Sequence, residues 1–173
     1  MATIHEELLR QLDYDPNTGI FRWKVTTNNR AKVGSVAGTY TLKGYRQIKF
    51  NGKSWRAGRL AWFYVHGVEP THAIDHINHI KDDDRIDNLR DATGTEQQRN
   101  LPLFSTNSTG HHNISWDKVN LRYKVSVREK GNKSSTTVGR FSSLKKAISA
   151  RDVALSINNY HTNHGERVAS SQQ

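Results

Sequence analysis

The 173-residue sequence contains no cysteine, only three prolines and no long apolar run. Without cysteine the chain forms neither a disulfide nor a thiolate zinc site, which excludes zinc fingers and zinc ribbons. No window approaches the ~18 apolar residues that span a bilayer, and no apolar signal segment opens the sequence. We therefore expect a cytoplasmic protein with no membrane partner, in which any metal ligands are His, Asp, Asn, Glu or Gln side chains.

Acidic residues are fewer than basic ones: the sequence has 16 Asp and Glu and 26 Lys and Arg, which gives a net charge of +10. Residues 101–173 are the more basic part, with 11 basic and 4 acidic side chains against 15 and 12 in residues 1–100. A hydrophobic content of 34% is low for one well-filled core, so two small domains fit better. The charge favours a polyanionic partner, and nucleic acid is the leading one.

Residues 1–100 show brief helices and strands around a polar segment. The pattern predicts a helix over 4–12, a tight turn over 14–19 and a strand over 20–23. The dipeptide Asn51-Gly52 is typical of a type I′ hairpin turn after a strand over 45–50. Further along we expect a helix that includes Leu60 and ends at Gly67, a polar irregular segment over 69–88 and a helix over 93–100.

Pro102 and a cluster of Ser, Thr and Asn residues place a linker over 101–109. Beyond it, alternating segments predict three strands, and Ser142 or Ser143 caps a helix that runs to about Asn158. The second domain then covers 110–162, and we expect a disordered tail over 163–173. The predicted strands are 113–116, 123–128 and 135–140.

The densest candidate site begins at Asp75-His76 and continues through the polar residues up to Asn88. Phosphodiester hydrolysis needs a base that deprotonates water and a cation that stabilises charge on the phosphate. His76 is a candidate base and Asp75 a candidate oxygen ligand. Adjacent strand residues point to opposite faces, so both serve one site only where the strand ends or bulges. The run Asp82–Asp84 is interpreted as a solvated loop rather than a second metal site.

Asp75-His76, Asn88-Leu89-Arg90 and residues 93–97 closely resemble the HNH motif of phage and intron-encoded homing endonucleases. The resemblance extends backward along the chain, so that together the ordered segments cover residues 12–100. It implies an α+β fold with an HNH ββα-metal nuclease domain over 1–100. The additional segments are Asp13-Tyr14-Asp15, Thr18-Gly19, Phe21-Arg22-Trp23-Lys24, Gly44-Tyr45 and Arg59-Leu60-Ala61-Trp62.

The resemblance to HNH endonucleases implies a role for each motif residue. His76 is the general base, Asp75 and Gln97 are metal ligands, and Asn88 holds the loop. The implied cofactor is a divalent metal ion, Mg²⁺ first and Mn²⁺ or Zn²⁺ as alternatives, with no other small-molecule cofactor. Two positions depart from the pattern, since relatives usually carry His or Asn at the position of Gln97 and His at the position of Gly58.

The C-terminal segments 113–116, 123–127 and 138–141, with the following helix, resemble an AP2/ERF domain. That resemblance implies a three-stranded antiparallel sheet that packs on one helix and lays its open face in the major groove. Alternation independently directs Tyr123, Val125 and Val127 toward the helix. The expected DNA-binding residues are Lys124, Ser126, Arg128, Ser135 and Thr137, with Trp116 divided between core and DNA contact.

The sequence therefore predicts a free-standing or homing-type HNH DNA endonuclease that hydrolyses phosphodiester bonds. The rival hypothesis is a catalytically weak or inactive DNA-binding or regulatory protein on the same scaffold. Incubation with plasmid DNA and a divalent metal separates the two, because only an active enzyme yields nicked or linear product.

Overall fold

The computed structural model describes residues 2–29, 31–129 and 131–165. Contacts between residues divide the chain into two compact units, 1–94 and 95–173. Within the described ranges lie ten strands and four α-helices, a mixed architecture built from small antiparallel sheets. None of the helices in those ranges is long and apolar enough to cross a membrane.

The first unit opens with helix α1 (Ile4–Gln11) and a two-stranded hairpin, β1 (Leu12–Asp15) and β2 (Ile20–Trp23). Thr3 caps α1 by a reciprocal capping box with Glu6, which satisfies backbone N–H groups that the first helical turn leaves unpaired. Helix α1 and strand β2 confirm the predicted helix and strand, whereas Leu12, predicted as the last helical residue, is the first residue of β1.

A second sheet has the order β3-β4-β5, from Thr39–Tyr40, Arg46–Phe50 and Lys53–Arg56. Asn51 and Gly52 both have positive φ, 48° and 73°, as the predicted type I′ turn requires. Helix α2 (Ala57–His66) follows directly and ends at Gly67 in the left-handed conformation, again as predicted.

The core of the first unit lies between α1, α2 and the two sheets. Alternation along β4 and β5 places Ile48 and Trp55 opposite each other on the inner face. Leu60 of α2 is fully buried in the same cluster. Leu89, from the hairpin that follows α2, belongs to this cluster as well, so α2 and that hairpin share one core. The other large members of the core are Leu8, Leu12, Tyr14, Phe21, Trp23, Phe50, Phe63 and Leu89.

The polar segment predicted to be irregular contains a hairpin instead. Strand β6 (Ala73–His76) pairs antiparallel with β7 (Leu89–Ala92), and a 3-10 turn over Ile86–Asn88 precedes β7. In β6 no residue is buried, and in β7 only the two end residues, Leu89 and Ala92, are buried. Neither strand therefore shows the apolar alternation by which a strand is identified in a sequence. Helix α3 (Gly94–Gln98) follows β7 and is shorter than the helix predicted over 93–100.

The second unit is a three-stranded antiparallel sheet with one long helix. Its strands, β8 (Ile114–Asp117), β9 (Arg122–Val127) and β10 (Thr136–Phe141), have the order β10-β9-β8. Helix α4 (Leu144–Ile157) begins after Ser143, whose side chain accepts a hydrogen bond from the Lys146 amide. Val125 and Val127 are buried with Ala147, which confirms the predicted helix-facing side of β9.

The second unit extends beyond both ends of the predicted second domain, 110–162. The His161 and Gly165 amides donate to the carbonyls of Arg99 and Leu101, so residues predicted as linker pack with the second unit. His164, predicted to lie in the disordered tail, is buried within that unit. The rest of the predicted tail, residues 166–173, lies outside the described residues.

Candidate active site

His76 is the last residue of β6, where the strand ends at the polar loop that leads to β7. Its Nε2 lies 3.0 Å from Oδ1 of Asp84 in a hydrogen bond that joins the strand end to this loop. Both side chains are withdrawn from solvent, at 10% and 3% exposure respectively. A histidine and a carboxylate thus form a shielded pair at the position expected for the general base.

Asp84 is held in place through its backbone. The Tyr14 hydroxyl donates to the Asp84 carbonyl at 2.7 Å, and this buried bond links β1 to the loop. Gly19 packs so closely on the same backbone that a Cβ there would lie 2.5 Å from the Asp84 carbonyl carbon. Burial raises the pKa of Asp84, while the hydrogen bond from His76 and the charges of His76 and Arg46 oppose that rise.

Gly58 of α2 faces the pair from the other side. A Cβ at this position would lie 2.8 Å from Asp84 Oδ1 and 3.5 Å from His76 Nε2. The first distance is too short for a Cβ contact, so a side chain at position 58 would displace the carboxylate. Glycine at position 58 therefore leaves room for the contact between His76 and Asp84.

Asn88 braces the loop between β6 and β7. Its Nδ2 donates to the Asp83 carbonyl at 2.8 Å, and its Oδ1 accepts from the Asn78 amide at 3.0 Å. The Asn78 side chain in turn donates to the Asp83 carboxylate, which also pairs with Arg85. These bonds span the loop, and Asn88 is itself buried.

Asp75 has a different partner from His76. In the register of the hairpin Asp75 lies opposite Arg90, and Oδ2 of Asp75 accepts from Arg90 Nε at 3.0 Å and from Nη2 at 2.7 Å. From the sequence, Asp75 and His76 are predicted to serve one site. The strand does end at His76, but the structure directs the two side chains to separate partners, as alternation along a strand requires.

A cleft of about 320 Å³ opens beside His76 and Asp84. Arg46, Lys53 and Arg56 line it, and among the described residues none of these three cations forms an ion pair with a carboxylate. Aromatic rings support them instead: Arg56 lies 4.4 Å from the Tyr45 ring centroid, and Arg46 lies 4.6 Å from that of Tyr40. Such a cleft suits an anion.

The implied divalent metal can be tested against the residues present. No group of three or more His, Cys, Asp or Glu side chains in the described ranges could hold a metal ion. Mg²⁺ does not require such a group, because it keeps several waters and typically takes one or two carboxylates plus substrate phosphate oxygens. Asp75 suits this chemistry. Gln97 lies in α3, within the second compact unit, and supplies a carboxamide of the same hard-oxygen type.

The second unit presents a polar sheet face opposite α4. Cross-strand pairing places Lys124, Ser126 and Thr137 on this face, where they were predicted. The same register adds Arg122 and Arg140, which the sequence analysis did not select. Alternation from Lys124 back to residue 122 could have identified the first of them.

Three predicted DNA-binding residues lie elsewhere. Trp116 pairs with Tyr123 and contacts its ring edge-on at 4.8 Å, so it lies on the helix side of the sheet, 42% exposed. Arg128 follows β9, and its guanidinium donates to Gln98 at 2.9 Å. Ser135 precedes β10, and with Arg128 it lines a cavity of about 500 Å³ within the second unit. A bulge after Thr137 ends the regular alternation that the prediction assumed.

Sequence reasoning also missed Asp84 and the cations of the cleft. Nothing in the run of three aspartates distinguishes Asp84 from its neighbours, since its burial depends on residues near Tyr14, Gly19 and Gly58. Arg46 and Arg56 stand on strands whose outward positions are ordinarily charged. In the sequence, the glycine at position 58 was the sign of an altered site that lies next to this pair.

Residues 56–99 match the family model described as HNH endonuclease. No curated protein and no solved structure matches the chain. The matched range begins at the end of β5 and includes α2, the β6–β7 hairpin with the His76–Asp84 pair, and α3. Residues 56–99 therefore carry an HNH endonuclease domain, which indicates a DNA-cleaving hydrolase.

Proposed function

We propose that this protein is a metal-dependent DNA endonuclease, of the homing or free-standing phage type, in which His76 is the general base. The observation that carries the proposal is the position of His76. It is paired with a buried carboxylate beside a cleft lined by Arg46, Lys53 and Arg56, which form no ion pair with any described carboxylate. Phosphodiesters are anionic, and their hydrolysis needs a base within reach of a bound phosphate. The family match agrees with this substrate.

The residues of the cleft divide the reaction between them. Arg46, Lys53 and Arg56 bind phosphate oxygens, and His76 takes a proton from the attacking water. The oxygen of that water bonds to phosphorus, the bond to the 3′ oxygen breaks, and the departing oxygen gains a proton from solvent. Asn88 keeps the loop closed around the pair through its two hydrogen bonds. The products carry 5′-phosphate and 3′-hydroxyl ends, as the resemblance to homing endonucleases implies.

Asp75 and Gln97 are the proposed ligands of a divalent ion, preferentially Mg²⁺. When bound, the ion supplies positive charge that stabilises the phosphate and the leaving oxygen. For Gln97 the assignment depends on its spacing from His76 and on the chemistry of its carboxamide. For Asp75 it depends on the motif and on a carboxylate that already binds one cation, Arg90.

The second unit is proposed to be an AP2/ERF-like module that binds duplex DNA through its polar sheet face. Lys124, Arg122 and Arg140 give that face its positive charge, and Ser126 and Thr137 supply shorter hydrogen-bonding groups. Arg140 also donates to Asp117 at 2.8 Å, which holds one guanidinium in a fixed position on the sheet. Contacts of this kind to phosphates position a protein on DNA.

The test is cleavage of supercoiled plasmid in Mg²⁺ or Mn²⁺ by the wild-type chain and by His76→Ala. We expect nicked or linear product from the wild type and a ~10²–10⁴-fold slower reaction from the variant, with DNA affinity nearly unchanged. His66→Ala, at the end of α2, where the His66 ring contacts the Trp62 ring at a tilted angle, is the matched control and should cleave normally. Cleavage by His76→Ala at the wild-type rate would remove His76 from the mechanism. DNA binding without cleavage by the wild type would favour the rival, an inactive DNA-binding protein.

A further inference from the structure

Asp84 stands in an unusual position for an aspartate. It is buried, and its Oδ1 is hydrogen-bonded to His76 Nε2. Its second oxygen, Oδ2, is buried without a hydrogen-bond partner among the described residues. An unsatisfied buried oxygen destabilises the folded state, so the fold retains this carboxylate at a cost in stability. Such a cost is expected at a site where the group has a function.

The two neighbouring aspartates of the loop, Asp82 and Asp83, have different partners from Asp84. Asp83 is held by Arg85 and Asn78, and the Arg85 hydrogen bond lowers its pKa. Asp82 is exposed and is bonded to the Tyr40 hydroxyl at 3.3 Å. Only Asp84 of the three is directed at His76, through the bond that Gly58 leaves room to form.

A carboxylate that accepts from one imidazole nitrogen fixes the tautomer of the ring. The proton then resides on Nε2, and Nδ1 carries the lone pair that can accept a proton. The same bond fixes the rotation of the ring, and Tyr14 and Gly19 hold the backbone of Asp84 in place. A base that is already oriented loses less freedom on reaching the transition state.

We infer that Asp84 is a positioning residue that holds His76 as its Nε2–H tautomer, with Nδ1 presented to the attacking water. This inference depends on the proposed function for the catalytic use of the pair, although the pairing itself does not. The proton of the water passes to Nδ1, and the resulting imidazolium is stabilised by the ionised carboxylate on its other side. Asp84 exchanges no proton with substrate and acts only through His76.

The first test compares the kinetics of Asp84→Ala and Asp84→Asn in the full-length chain. The alanine variant loses the acceptor, and we expect kcat to fall about 10–100-fold with KM nearly unchanged, the range found for carboxylates that orient a metal-ligating imidazole. The asparagine variant keeps an acceptor oxygen without the charge, and its kcat should lie between those of the wild type and the alanine variant. Asp82→Asn, an exposed change in the same loop, is the control and should retain the wild-type kcat.

The second test reads the tautomer directly, by ¹⁵N NMR of the imidazole nitrogens over a pH series that extends until the signals stop changing. In the wild type we expect the shifts of an Nε2–H ring at His76, and in Asp84→Ala a mixture of both tautomers. Gly58→Ala should produce the same mixture, because its Cβ displaces Asp84 Oδ1. Gly94→Ala, where a Cβ meets nothing within 4 Å, is its control.

The outcomes distinguish failure of the Asp84 inference from failure of the proposed endonuclease function. Unchanged NMR shifts at His76 in both Asp84→Ala and Gly58→Ala, or a wild-type kcat in Asp84→Ala, would overturn the inference. If the wild-type chain cleaves no DNA, the proposed function fails and the catalytic use of the pair fails with it. In that case the NMR signals still decide whether Asp84 holds the His76 ring.

Discussion

At the scale of single residues, Asp84 couples stability to pH. Burial raises its pKa in the folded chain, so folding favours the protonated carboxyl. The folded state therefore retains a proton that the unfolded chain releases above about pH 4, and stability is lost as pH rises from there through the raised pKa.

Asp84→Asn removes this ionisation, so the variant should gain stability over the wild type as pH rises. We expect a small difference at pH 4 and a larger gain at pH 7, because only the wild-type carboxyl must ionise in its buried position. Urea unfolding at the two pH values measures it, with Asp82→Asn as the exposed control. The same difference at both values would show that the buried carboxylate is not responsible.

Gln97 tests the metal assignment at the same scale. Gln97→Asn restores the usual ligand length and should keep or raise activity at limiting metal, whereas Gln97→Ala should raise the metal concentration needed for half-maximal cleavage. Gln98→Ala changes the neighbouring carboxamide, which accepts from Arg128, and serves as the control. If Gln97→Ala and the wild type show identical Mg²⁺ titrations, Gln97 is not a ligand.

At the scale of elements, the hairpin β1–β2 supports the loop that carries Asp84. Gly19 and Gly52 have nearly the same φ, 72° and 73°, but only Gly19 packs on other backbone. Alanine at either position incurs the strain of a positive φ, and only at Gly19 does it add overpacking, which typically costs 1–3 kcal/mol. Urea unfolding of Gly19→Ala and Gly52→Ala isolates that contact, and equal losses would contradict it.

Local patterns predicted those elements whose residues carry their own signal. Asn51-Gly52 specifies a turn and Ser143 a helix start by chemistry within a few residues. The hairpin that carries His76 was missed because pairing with β7, and not apolar alternation, holds β6. The partner of His76 could not be predicted either, since Asp84 is buried by residues up to 70 positions away.

At the scale of the whole molecule, the two units are expected to divide catalysis from DNA binding. Residues 101–173 carry most of the net charge, so a fragment of residues 1–100 should bind DNA more weakly than the full chain. In a plot of log affinity against log salt, its slope should be shallower by about one unit for each lost phosphate contact.

In the full-length protein, Lys124→Ala should reduce this slope by about one unit, because Lys124 lies on the polar sheet face. Lys145→Ala, on the helix behind the sheet, is the control with the same change of charge. Equal affinities and slopes for the fragment and the full chain would show that the second unit does not engage DNA.

The contact of Tyr14 and Gly19 with the backbone of Asp84 also determines how much of the chain must be transferred to move the nuclease site to another protein. The family match begins at residue 56, yet the loop that carries Asp84 is shaped by a hairpin about 40 residues earlier. A graft of residues 56–99 onto another protein would carry the motif and leave behind the hairpin that shapes its loop. A functional transplant must therefore begin no later than β1, and sequence variation at positions 14, 19, 58 and 84 should be interdependent during evolution.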